Sequence, residues 1–430
     1  MEKLAKILII VLIFTLGSLA GFFFRQKIFS PLANGRANPY TAFLDEIYGT
    51  IQDNYWQKLS DEELNRIFIL GAEKLTGKAK KDKPENKAEL LRLLEKDIKA
   101  YDEEEKKKQF ATSLADLVLS NLEPAGRSRL YTQKDEKSLS DNVQNKNPEV
   151  DRYQVLGIDK EASEATIKIA YQKESEKWNP ETNQSPEAEE KFSQIEKSYK
   201  ILSDPASREI YQISGVEPTM DYQLIRPDIF YIHIKKFSPT TLDELKRVID
   251  KPVANEQKPP DTLILDLRDN IGGAIDGLPY FLGPFIGADQ YAYQFFHQGE
   301  KEDFKTITGW LPGLVSYKKV VILINQGSQS TAELMASTLK KYNVGVLVGS
   351  TTKGWGTIEK VIKIDRQIDP QEKYSVFLVH SLTLRADGQP IEGRGVQPLI
   401  DTNLPNWENE LFAYFNSQQI VMAVKGIITQ

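Results

Sequence analysis

From Met220 onward the hydrophobic period of the chain changes, and this change restricts the fold more than any other feature. Short runs rich in Val, Ile and Phe, at Phe230–His233, Thr262–Leu267, Lys319–Ile324, Gly345–Val348, Glu359–Ile364 and Tyr374–Val379, read as strands. Two intervening stretches, Thr240–Ile249 and Ser330–Lys341, read as helices. Strands alternating with helices imply an α/β layered core, here spanning residues 220–405.

The first half reads differently. Phe43, Ile47 and Ile51, then Leu64, Ile67, Phe68 and Leu70, have helical spacing, with Ser60-Asp61-Glu62-Glu63 as an N-cap between two helices. The mixed-charge run Lys78–Lys108, interrupted by Pro84, carries Leu90, Leu91, Leu94 and Ile98 and reads as a helix with a solvated face. Phe110–Leu119 predicts another helix, so residues 38–133 form a helical region. Residues 134–150 are polar and read as a linker. Residues 151–215 read as a compact helical unit. Its helices, Ala162–Trp178 and Ala188–Leu202, are joined by the polar turn Asn179-Pro180-Glu181-Thr182-Asn183, which makes a helical hairpin. Residues 406–430 form a terminal helix or tail with Phe412, Phe415, Ile420 and Val421, for which the pattern suggests no docking place.

The N-terminus bears on compartment. Lys3 and Lys6 precede an apolar run, residues 7–24, followed by Arg25 and Lys27. About 18 apolar residues is the short end of what crosses ~30 Å of hydrocarbon. Ser18-Leu19-Ala20 resembles a small-x-small cleavage signal, but Phe22, Phe23 and Phe24 extend the run past it, which favours a transmembrane anchor within residues 1–30 over a removed signal peptide. Either way the bulk of the chain is expected on the extracytoplasmic side, and it is secreted if the segment is cleaved.

Composition excludes several chemistries. With 40% hydrophobic and 27% charged residues the chain is not a disordered polymer, and a net charge of −6 leaves no basic footprint for nucleic acid. It has no cysteine, hence no thiolate nucleophile or disulfide, and His233, His297 and His380 are scattered without ligand spacing. No metal or cofactor is expected.

Two segments carry chemistry. In Leu265-Asp266-Leu267-Arg268-Asp269-Asn270-Ile271-Gly272-Gly273 a buried strand ends in a turn whose glycines allow the close backbone approach an oxyanion-binding site needs. In Val321-Ile322-Leu323-Ile324-Asn325-Gln326-Gly327-Ser328-Gln329-Ser330-Thr331-Ala332-Glu333-Leu334 a strand runs into a serine-rich helix start. Serines there are ordinarily N-caps, but the same geometry places a hydroxyl at the positive end of a helix dipole.

Together these segments resemble the carboxy-terminal processing (tail-specific) peptidases, serine peptidases with a Ser-Lys dyad. The resemblance extends to Tyr40–Leu75, Leu122–Tyr131, Ile229–Phe237 and Thr383–Pro398. It implies an α/β (α+β) peptidase core, with Ser330 as nucleophile and oxyanion donors at the N–H of Thr331 and of Gly272 or Gly273. It also implies a lysine base in the strand after Val348-Gly349. Aligned on Gly349, Thr352, Gly354, Gly356 and Thr357, that position holds Trp355, and the family's supporting glutamine falls on Glu359. Lys353 lies two residues earlier, facing the same way in an extended strand but displaced by ~7 Å.

The helical unit resembles an all-α J domain through Asp151, Tyr153, Leu156-Gly157, Ala170-Tyr171, Lys191-Phe192, Leu202-Ser203-Asp204-Pro205, Arg208 and Tyr211, and it stands where the peptidase family has a PDZ domain. The family's His-Pro-Asp loop is Asn179-Pro180-Glu181 here, so stimulation of a DnaK-type chaperone is not expected. The economical expectation is an anchored binding or scaffold protein for unfolded or C-terminal peptide segments, with impaired catalysis. The alternatives are an endopeptidase using Ser330 and Lys353, and a membrane-tethered co-chaperone.

Overall fold

The computed structural model describes residues 38–80, 83–251 and 259–429. The apolar run 7–24 lies outside them, and among the described residues no helix is long and apolar enough to cross a membrane.

Helices Pro39–Asn54, Asp61–Thr76, Lys87–Lys99 and Glu104–Ser120 form the N-terminal region. Ser60 caps the second through a reciprocal bond with Glu63, as its sequence implies. In the mixed-charge run Leu90, Leu94 and Ile98 recur at helical spacing and are buried, leaving the charges on the outer face. Strand β1 (Arg129–Thr132) follows. Residues 134–150 are not the irregular linker their polarity suggests. Thr132 and Asp135 close a capping box that starts a helix over Gln133–Val143, and local capping outweighs polar composition there.

The helical unit comprises helices Arg152–Leu156, Glu164–Trp178, Ala188–Ser203 and Pro205–Ser214, around Tyr153, Leu156, Ile167, Ile195, Ile201 and Leu202. Its entry and exit strands meet in an antiparallel bridge, Lys146 with Val216, so the unit is an insertion on a closed stem. The stem is fixed by charge. Arg152 is fully buried, its Nε and Nη2 donate to Glu217 Oε1 at 2.8 and 2.5 Å, and its Nη1 donates to Gln194 at 2.6 Å. Two ion pairs tie the unit to the following domain, Lys200 with Asp221 and Lys251 with Asp204.

That domain is built on a six-stranded sheet of β2 (Met220–Arg226), β3 (Ile229–Ile234), β4 (Thr262–Asp266), β7 (Lys319–Ile324), β8 (Val346–Gly349) and β11 (Ile400–Asp401), ordered β11-β8-β7-β4-β3-β2 and parallel except for β2. One face packs on helices Thr241–Ile249, Leu278–Ile286 and Thr331–Lys341. The other is covered by helices Trp407–Phe415 and Gln418–Ile428 through Trp407, Leu411, Ile420, Val421 and Val424. This is where the C-terminal apolar residues dock: a parallel sheet needs both faces buried. Strands β5 (Tyr291–His297), β6 (Glu300–Lys305), β9 (Thr357–Lys363) and β10 (Tyr374–Leu384) join β1 in a second, antiparallel sheet against the N-terminal helices.

Candidate active site

Strands β4 and β7 are parallel neighbours, so their C-terminal turns leave the sheet side by side, at the end where open α/β sheets bind ligands. The turns are stitched together. Asp269 N–H donates to Asn325 Oδ1 at 2.9 Å, Gln329 N–H to the Asn270 carbonyl at 2.9 Å, and Ser328 Oγ to the Leu267 carbonyl at 2.7 Å. Gly327 is required here, since a Cβ would lie 2.1 Å from Asp269 Oδ1. Ser328 is therefore a buried brace.

Ser330 sits at the N-terminus of helix Thr331–Lys341 with φ 56° and ψ −123°. A non-glycine residue held there is strained, and such strain persists where surrounding bonds over-determine it. Gly272 approaches it so closely that a Cβ would lie 2.7 Å from Ser330 Cβ. The two glycines divide their roles. The Gly272 N–H is taken by Asn270 Oδ1 at 2.8 Å. Gly273, with φ 133° and backed by the Phe237 carbonyl, has an N–H with no partner among the described residues, and so does Thr331. Thr331 Oγ1 holds the two segments together by donating to the Gly273 carbonyl at 3.1 Å. Of the glycine alternatives, Gly273 is the one whose N–H is free to pair with Thr331 around an oxygen.

Glu333, which the sequence reading missed, organises the other side. Its buried carboxylate accepts from Ser330 N–H at 2.8 Å, Thr352 Oγ1 at 2.5 Å, Gly354 N–H at 2.7 Å and Trp355 N–H at 2.8 Å. Burial pushes its carboxyl up, against the pull of these donors. An acid three residues into a helix that begins with serine was the available signal.

The segment after β8 is not the extended strand from which Lys353 and Trp355 would face the same way. It is a loop with Gly354 at φ 78°, whose carbonyl accepts from Gly393 N–H at 2.9 Å and where a Cβ would lie 3.0 Å from Arg394 N, so strand alternation does not relate the two side chains. The Lys353 side chain is exposed, its N–H is held by the Ser328 carbonyl at 3.0 Å, and its Nζ lies 5.5 Å from the centre of the Trp355 ring. No lysine, histidine or carboxylate hydrogen-bonds to Ser330 Oγ among the described residues.

Trp355 is clamped. The Arg127 guanidinium lies 3.8 Å from its ring centre and is itself held by Glu392, Nη1 to Oε2 at 3.1 Å and Nη2 to Oε1 at 2.9 Å. No sequence signal links Arg127 to Trp355, since 228 residues separate them. Glu359 lies on the same side, accepts from Thr357 Oγ1 at 2.6 Å, and has its carboxyl pushed up by burial. Trp355 and Glu359 line a cavity of about 420 Å³ with Arg127, Arg129, Tyr131 and Asp135.

In the helical insertion Asn179 Oδ1 accepts from Glu181 N–H at 2.9 Å, so Asn179-Pro180-Glu181 is a self-capped turn ending helix Glu164–Trp178, with Glu181 exposed. The histidines are less scattered than in sequence: His297 and His380 stack at 4.1 Å. No group of three or more His, Asp or Glu that could hold a metal occurs among the described residues.

With this geometry in hand, comparison is informative. Residues 228–402 match the model of peptidase family S41, and residues 151–212 match the DnaJ domain. The chain is 32% identical over 182 residues to the carboxy-terminal processing protease CtpA of Bacillus subtilis, a match covering 41% of this chain and 35% of that one. Over 65 residues it is 45% identical to chaperone protein DnaJ 2 of Thermus thermophilus, covering 15% of this chain and 23% of that one. Each match thus spans about a third or less of the curated relative. Among solved structures a photosystem II D1 C-terminal processing protease aligns with a TM-score of 0.36 at 16% identity, over 43% of this chain and 48% of that one.

Proposed function

Because the chain carries a peptidase family S41 domain with a DnaJ domain inserted ahead of it, we propose that it is a peptide-binding member of the C-terminal processing group whose catalysis is impaired. The observation that carries this reading is Trp355. The position expected to supply the proton acceptor for Ser330 is occupied by an indole locked under Arg127, and an indole accepts no proton. The unengaged N–H groups of Gly273 and Thr331 remain suited to a peptide carbonyl or a terminal carboxylate. Substrates in this reading are unfolded or C-terminal protein segments. Residues 7–24 anchor the chain in a membrane with its bulk outside the cytoplasm, and the insertion serves as a rigid protein-binding unit rather than a chaperone activator.

A second reading is favoured by one observation. Ser330 keeps a strained backbone, with φ 56°, and a pure binding site does not need that strain; in that reading Lys353 swings onto Ser330 when substrate binds. Hydrolysis of a denatured protein by the full chain, beside Ser330→Ala and Lys353→Ala, separates the two. No turnover in any form, with peptide binding intact, supports the binding protein. Turnover abolished by both substitutions establishes a displaced dyad.

A further inference from the structure

The cavity beside Trp355 has a chemical character of its own. Arg127 is neutralised by the fork it forms with Glu392. Arg129 is neutralised by Asp116, Nε to Oδ1 at 2.7 Å and Nη2 to Oδ2 at 2.9 Å. Both basic residues of the lining are therefore spoken for. The acids that remain have no cation bonded to them among the described residues. Burial pushes the Glu359 carboxyl up, against the pull of the Thr357 hydroxyl, Arg127 and Trp355, and Asp135 accepts from the Thr132 N–H and hydroxyl. The Asp135 carboxyl is held below the usual range by those bonds and is ionised at neutral pH. Aromatic surface completes the wall: Trp355 and Tyr131, the latter stacked on Phe377 at 4.6 Å.

An aliphatic stem lying against aromatic surface, ending in a cation that meets carboxyl groups, fits this lining. A volume of about 420 Å³ is at the lower end of pockets that hold small ligands and exceeds what one long side chain fills. The cavity is linked to the Ser330 segment through Trp355, whose backbone N–H bonds the same Glu333 oxygen as Ser330 N–H. Resting on the peptide-binding reading above, we propose that this cavity is a subsite for a lysine or arginine side chain of the bound peptide, with Glu359 and Asp135 as the specificity-determining residues. The site thus accepts a cation from its ligand next to where its relatives are expected to carry their own.

The test uses the full-length chain and two probes. The first is a set of peptides identical except for lysine, norleucine or glutamate at one position at a time, with binding followed by fluorescence anisotropy. The second is N-acetyl-lysine methylamide, with its norleucine counterpart as control, followed through the Trp355 indole N–H resonance assigned with Trp355→Phe. Lysine at one position is expected to bind about tenfold tighter than norleucine, with glutamate weaker still. Glu359→Gln, which keeps the shape and the Thr357 bond, is expected to remove most of that preference, and Asp135→Asn the remainder. Peptides that bind with no lysine preference, unaffected by Glu359→Gln, overturn the subsite and leave the binding reading intact. If no peptide binds but the lysine amide shifts the indole signal in a Glu359-dependent way, the subsite stands and the peptide-binding reading fails. If neither probe registers, both fall.

Discussion

The backbone N–H groups of Ser330 and Trp355 donate to one atom, Oε2 of Glu333, each at 2.8 Å. A single carboxyl oxygen thus fixes the strained serine and the loop facing it. Replacing Glu333 with leucine leaves the buried donors of Thr352 and Gly354 without this acceptor, at about 1–3 kcal/mol each, and the half-buried N–H groups of Ser330 and Trp355 at less. Urea unfolding is expected to show a loss of about 3–5 kcal/mol for Glu333→Leu, near the upper end for single substitutions, and a smaller loss for Glu333→Gln, which keeps one acceptor. An unchanged midpoint would mean that the loop is held from elsewhere.

Trp355→Lys places an amine where the family resemblance expects the base. With Ser330 and the unengaged N–H groups of Gly273 and Thr331 already in place, the proposed site is expected to hydrolyse denatured protein in this variant, gaining about 10²–10⁴-fold over the parent, the usual worth of a positioned general base. Its activity must vanish with Ser330→Ala. The substitution also removes the Arg127 stack and sets two cations together, so stability should fall by about 1–2 kcal/mol. Failure of a folded Trp355→Lys to turn over would place the defect in the oxyanion site instead.

Much of this was legible in the sequence because it is written in local signals. The strand-then-glycine and strand-then-serine segments identify the two turns, and the parallel sheet brings them side by side, so that Thr331 Oγ1 bonds the Gly273 carbonyl. What was hidden depends on contacts between distant residues or on backbone conformation. Arg127 meets Trp355 across the two halves of the chain. Gly354 turns a predicted strand into a loop by adopting φ 78°. Asn270 engages the Gly272 N–H through a single side-chain bond. The helix Gln133–Val143 was masked by polar residues whose burial pattern carries no period, although its capping box was readable.

The buried pair Arg152–Glu217 holds the inserted unit to its stem, with both side chains almost wholly inaccessible. Removing Arg152 leaves the buried Glu217 with Lys197 Nζ at 2.6 Å, a half-exposed partner, so the cost is about 1–3 kcal/mol, below the ~3–5 kcal/mol of a buried charge left alone. Arg152→Met is expected to show that loss in urea and to expose helices Glu164–Trp178 and Ala188–Ser203 to limited proteolysis before the sheet domain. The double variant Arg152→Met, Glu217→Met should recover part of the loss, since no buried charge remains and Lys197, which loses its partner, is half-exposed. A double variant as unstable as the single one would show that packing rather than charge secures the stem.

His380 lies in the bulge where β9 and β10 lose register, stacked on His297, with Lys360 Nζ 3.1 Å from its Nε2. Burial first, then Lys360 and His297, lower its imidazole from 6.5 to about 4. The folded value is below the unfolded one, so the stability it contributes is fully present above pH 6.5 and is lost as pH falls toward 4. His380→Gln removes this term and leaves every carboxylate in place. Between pH 7 and pH 4.5 the parent is therefore expected to lose about 1–2 kcal/mol more than the variant, after allowance for solvent screening of a half-buried group. Urea midpoints measured at both pH values give the comparison directly, and parallel losses in the two proteins would show that His380 titrates normally in the folded chain.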